Sequence, residues 1–178
     1  MGEFLMAKSK GPGWEVVESA SKMVRNIQLL DFMKENEVYV GIQQKESKRE
    51  DEQITNAELL FIHTNGSPIN NIPPRPVIEP SIKHDNERLS AMMKKAAQLV
   101  LAGKIDDAII QLKRTGMRGQ NVSRNWFVNP ENNWPPNSPS VIAEKRRKGS
   151  TNPRPLIDTG ELRKSITYFV KTKGGRSK

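Results

Sequence analysis

The stretch Ile72 to Pro80 reads IPPRPVIEP and holds four prolines in nine residues. Each proline removes one amide donor and fixes its own φ near about −65°. The stretch is therefore excluded from helix interiors and central strands, and an extended, preordered segment is expected. Preorder lowers the entropy cost of binding. Arg75 at its centre carries a planar donor fork suited to a carboxylate, in its own chain or a neighbour's. Two placements satisfy these constraints. The segment is a strap across the chain's own helices, or a contact between subunits made by Pro73, Pro74, Arg75, Pro76 and Val77.

The remaining pattern builds an α+β domain around this segment. Residues 14–34 read as a helix, because Val17, Ala20, Met23, Val24, Ile27, Leu30 and Phe32 or Met33 recur at three- and four-residue steps. Glu37 to Ile42 alternates like a strand. Gln43 to Gln53 is wholly polar and reads as a long mobile loop or a hairpin tip. Thr55-Asn56-Ala57-Glu58 is a capping box that opens a helix with Ala57, Leu60 and Phe61 inward and Gly66 as its stop. Two longer helices follow, about Asp85 to Ala102 and from Ile105 towards Trp126. Gly116 and Gly119 weaken the middle of the second by about 1 kcal/mol each.

Ser138-Pro139 is a clean helix start. Asp158 to Glu161 reads as a second capping box, with Leu162 inward, before a strand from Ser165 to Lys171. The expected domain spans residues 14–170, between a flexible leader (1–13) and a flexible basic tail (171–178). Its sheet is small and mainly antiparallel, with helices on one face. Met1 to Leu5 reads as a cloning remnant, with Met6 as the natural start.

Charge is distributed unevenly. Net charge is +9. Residues 139–178 hold 11 Lys and Arg against 3 Asp and Glu, which places +8 in the last 40 residues. Arg146, Arg147, Lys148, Lys171 and Lys173 belong to this segment. Such a segment attracts nucleic acid or an acidic protein surface, or is simply a solvated tail without aromatic residues between its charges. There is no cysteine, hence no disulfide framework. No apolar run approaches the roughly 20 residues of a membrane helix, and the first residues lack a signal peptide's apolar stretch.

Reactive constellations do not emerge. His63 and His84 lie 21 residues apart with no partner at helical spacing, so no metal site is expected. Gly116-Met117-Arg118-Gly119 lacks the strand and the Lys-Ser/Thr of a phosphate loop. Glu58 is accounted for by capping, which leaves Glu79 without an acid–base partner. Neither enzyme chemistry, a cofactor nor a small-molecule substrate is expected. Trp126, Phe127 and Trp134 flank a Pro-rich loop, as a satellite core or a ligand platform.

Five segments in fixed order resemble a known family: Val40 to Ile42, Ile54 to Pro68, Ile72 to Pro80, Trp134 to Pro139 (WPPNSP) and Pro155 to Ile166 (PLIDTGELRKSI). They are similar to neck, tail-completion and minor tail proteins of tailed bacteriophages, the virion morphogenesis or head–tail joining group. The likeness spans about Val38 to Val170. Asp158 to Ile166 resembles the family's D-T-G-x-L-x-x-S-I turn, and Pro74 to Pro80 its Arg-Pro-Phe segment. Val77 stands where the family carries an aromatic residue. Some related families place the D-T-G segment before the Arg-Pro-Phe segment, whereas here it comes last.

The resemblance implies a structural virion protein that catalyses nothing. It would assemble as a ring in the host bacterial cytoplasm and dock on portal, connector or tail-tube proteins of the neck or tail. Trp134 and the Pro segment are candidate contacts with neighbours, and the basic segment of such a ring is expected to face the DNA channel or an acidic neighbour. A sequence-independent nucleic-acid-binding accessory protein is the alternative.

Overall fold

In the computed structural model, which describes residues 12–43, 54–172 and 175–177, the chain is α+β. Helix α1 spans Pro12–Glu35, strand β1 Glu37–Gly41, α2 Asn56–Asn65, α3 Ile78–His84, α4 Asn86–Leu101 and α5 Ile105–Trp126. Then come α6 (Pro139–Arg147), α7 (Glu161–Ser165), β2 (Thr167–Thr172) and β3 (Gly175–Ser177). The expected loop falls almost wholly within residues 44–53, outside the described residues.

The sheet is antiparallel in the order β1-β2-β3, with Glu37 opposite Lys171 and Gly41 opposite Thr167. Three boundaries are thereby corrected. Pro12 and Gly13 lie within α1 and not in a leader. Lys171 and Thr172 belong to β2, and residues 175–177 pair with it as β3, so the expected tail contributes to the sheet. In register this follows from Val170 and Thr172 continuing the alternation of Tyr168.

The α4–α5 hairpin is the frame. Gly103, with φ of 74°, makes its turn. Asp85 joins α3 to α4 and accepts two hydrogen bonds from Arg118 of α5, at 2.5 and 2.6 Å. Ser81 and Ser123 meet at 2.9 Å in the interior and pull α3 onto α5. The sheet lies on α5 through Gly116 and Gly119. A Cβ at Gly116 would overlap the Tyr168 ring, and one at Gly119 would stand 2.8 Å from Val40 Cγ2. These glycines cost helix propensity, yet α5 is continuous through them. Their physical role is to let two strands approach closely, not to interrupt the helix.

Two apolar clusters result. Phe32, Ala96, Val100, Ala108, Leu112, Tyr168 and Val170 join α1, α4, α5 and β2. Val77, Trp126, Phe127, Leu162 and Ile166 join the Pro segment to the end of α5, α7 and the residue before β2. Val40 packs against both.

Several inward assignments change. On α1, Met23, Val24, Ile27, Leu30 and Met33 are exposed, and the body is met by Phe32 and Leu29. On α2, Phe61 is 70% exposed, while Asn56 is buried and Leu59 and Leu60 pack on the second cluster. The Pro segment stays out of helix only to Val77, whose backbone already turns into the helical region as the cap residue, and Ile78, Glu79 and Pro80 open α3. Pro80 is tolerated because the first-turn amides of a helix have no intrahelical acceptor.

Candidate docking cleft

Helix α2 begins as its sequence implies. Thr55 Oγ1 accepts from the Glu58 amide at 3.3 Å, and Glu58 accepts from the Thr55 amide at 2.8 Å. This reciprocal contact, the backbone bond first, holds the Glu58 carboxyl below its usual range. Gly66 ends the helix with φ of 75°. A side chain there would lie 2.9 Å from both Ile72 O and Pro74 N, so the Pro segment turns back tightly against the helix end. The Arg75 amide then donates to His63 O at 2.5 Å.

Arg75 is 7% exposed. Its Nε and Nη2 donate to Pro135 O at 3.1 and 2.9 Å, and Nη2 also to Pro136 O at 3.0 Å. In return, Trp134 Nε1 donates to Pro76 O at 3.1 Å. Two Pro-rich stretches, about 60 residues apart in sequence, thus hold each other by their carbonyls. Prolines donate nothing, so their carbonyls need partners from outside the stretch. The carboxylate expected to meet Arg75 is replaced by these two backbone oxygens. Val77 is fully buried against the second cluster, and half-buried Trp134 stacks edge-on to Phe127 at a centroid distance of 5.7 Å. Within the chain Arg75 and Val77 are therefore largely interior, the Pro segment lies as a strap, and the aromatic group packs as a satellite core.

Beside the strap opens a cleft of about 660 Å³. Its lining brings together His63 of α2, Pro73 and Arg75 of the strap, Asn137 and Ser138 of the WPPNSP stretch, Lys145 of α6, and Asp158 to Leu162. Four of the five sequence segments singled out above meet here. Pro73 is half-buried and lines the cleft, Pro74 is exposed, and Pro76 is half-buried.

The second capping box is not made as expected. The cap residue of α7 is Gly160, with φ of 82° and no side-chain cap, and the Glu161 amide is met by Thr159 Oγ1 at 3.4 Å. With Gly160 as cap, Asp158 falls outside the box and faces Lys145 across the cleft. Lys145 Nζ donates to Arg154 O at 2.9 Å and Ile157 O at 2.5 Å, so it pins the chain entering the D-T-G turn. Burial pulls its ammonium below the ordinary lysine value, opposed by Asp158. Lys145 was not singled out from the sequence. The signal is its position one turn after Val141 and Ile142, on the apolar side of a short helix.

His63 Nδ1 is buried without a hydrogen-bond partner. Burial, and secondarily the Arg75 charge, holds its pKa below the ordinary value. The cleft therefore joins an apolar floor (Leu59, Ile72, Leu156, Leu162) to a rim of amides and both signs of charge. A cleft of this size, with an apolar floor and a few convergent polar groups, has the build of a binding site. Among the described residues no cluster of His, Asp or Glu is placed to hold a metal.

The basic candidates are not drawn into the cleft. Arg146, Arg147 and Lys148 are exposed at the end of α6, with Lys148 paired to Glu144 at 2.9 Å. Lys171 stands on β2, paired to Glu37 at 3.3 Å. Lys173 lies outside the described residues. No helix of the described residues is long and apolar enough to cross a membrane.

Compared with known proteins, the chain matches no family model, no curated protein and no solved structure.

Proposed function

We propose that this chain is a structural protein of a tailed-phage virion, acting at the neck or at the tail end by self-association and docking. The observation that carries the reading is the convergence of the family-like segments on one rigid cleft. The Arg75 and Trp134 clasps fix its walls, and proline fixes the intervening backbone. A joint between large assemblies needs a surface whose shape is set before contact, since each ordered residue otherwise subtracts from affinity. The partners on this reading are portal, connector or tail-tube proteins and further copies of the chain.

The test is complementation in vitro. Phage lysates lacking this protein should contain separate heads and tails, and the purified chain should convert them to joined, infectious particles. Particles that join equally well without it would remove the function. A cleft variant such as Leu59→Arg should bind none of these partners while keeping its helical spectrum.

A second reading, sequence-independent DNA binding, draws on Arg146 and Arg147, which are exposed and form no ion pair among the described residues. Phosphate contacts would make binding fall steeply with salt, and removing both arginines should lower the salt slope by about 2. Salt-independent or undetectable binding to duplex DNA rejects this reading and leaves the first untouched.

A further inference from the structure

Helix α1 has two faces, and only one is used. Leu29 and Phe32 pack its C-terminal end on the body. On the opposite side Met23, Val24, Ile27 and Leu30 are 66, 53, 47 and 57% exposed. They recur at three- and four-residue steps and, with Ala20, form one stripe along three turns of a helix roughly 36 Å long. Exposed apolar side chains placed singly are ordinary, but a continuous stripe of them marks a contact surface.

The same chain carries an unfilled groove of about 700 Å³. Its walls include Leu29 of α1, Val38 of β1, Ile82 of α3, and Leu89, Met93 and Ala97 of α4. A convex apolar helix and a concave apolar groove are thus present on different faces of one molecule. The stripe cannot reach its own groove, because α1 is fixed at the groove's edge by the very residues, Leu29 and Phe32, that line it.

Charge agrees with the match. Asp31 borders the stripe and Lys94 lines the groove, and neither has an ion-pair partner among the described residues. We infer that the α1 stripe of one copy seats in the groove of the next, a head-to-tail contact. Head-to-tail contacts close into rings or run on as filaments, unlike two-fold contacts that stop at a dimer. The inference deepens the assembly function proposed above and rests on it only for closure into a ring.

The experiment uses the full chain and two single-sided variants: Ile27→Asp on the stripe and Met93→Asp in the groove. Both sites already touch solvent, so the fold should survive, which circular dichroism checks. Light scattering should show wild-type mass rising with concentration beyond a dimer. Each variant alone should stay at the 20.1 kDa monomer. An equal mixture should give twice that mass and no more, because one intact stripe meets one intact groove.

A mixture that stays monomeric overturns the contact, as does a wild type that remains monomeric at every concentration. Self-association of Met93→Asp like wild type also overturns it, since α1 would then pair with α1. Failure of these masses leaves head–tail complementation untouched, and failed complementation leaves the masses untouched, so the two ideas can fall separately.

Discussion

The ring of Tyr168 occupies the space that a side chain at Gly116 would need. This single relationship sets the height of the sheet above α5. Gly116→Ala gains about 1 kcal/mol of helix propensity but forces the ring or the strand to move, a cost of about 1–3 kcal/mol. The expected net effect is a modest loss in a urea titration. In a Tyr168→Ala background the same substitution should be neutral or stabilising. Equal effects in both backgrounds would show that the ring is not the obstacle.

Arg75 should be irreplaceable by lysine. A guanidinium reaches two carbonyls from a fixed fork, whereas an ammonium is a compact point charge. Arg75→Met should cost about 1.5–3 kcal/mol, the range for hydrogen bonds from a charged donor, and Arg75→Lys should recover less than half. Trp134→Phe, which removes the bond to Pro76 O and part of the ring packed on Phe127, should cost about 1–3 kcal/mol. Unfolding midpoints compared across the three variants check the order.

The two apparent capping boxes should behave differently. Thr55→Ala removes a cap that is made, at a cost of about 1 kcal/mol. Asp158→Ala removes no cap, and its effect should appear instead as looser binding at the cleft through the Lys145 contact. A loss at Asp158 as large as that at Thr55, without any change at the cleft, would contradict the assignment.

His63 should make stability depend on pH. Its folded-state pKa lies below the ordinary 6.5, so the unfolded chain takes up a proton that the folded chain resists. The unfolded state binds more protons in that window, and stability therefore falls as pH drops through 6.5. Burial first and the Arg75 charge second oppose a charged imidazole, and Lys145, Asp158 and Glu161 line the same cleft. His63→Leu should flatten the dependence between pH 7.5 and 5.5. An unchanged slope in that variant would assign the proton elsewhere.

Local rules were legible along the chain, and long-range ones were not. The Thr55 box and the Ser138-Pro139 start depend on neighbours within a few residues, so the local sequence alone decides them. The same logic misled at Asp158, where the four-residue pattern is right but Gly160 takes the cap. For α1 the apolar period correctly implied a helix, yet period is silent on which way a stripe points. Its stripe faces outward because Leu29 and Phe32, on the other side of the helix, are the residues packed on the body.

For the strap, proline chemistry by itself determined a preordered, donor-poor segment, though not that its last residues, Ile78 to Pro80, open a helix. It could not say what would satisfy those carbonyls or where Arg75 would point. Only the tertiary structure decided that, by bringing Pro135 and Pro136 within 3.1 Å of one guanidinium. The physical reason is that a hydrogen bond spanning 60 residues depends on the packing of every element between its ends, and no local pattern encodes that path.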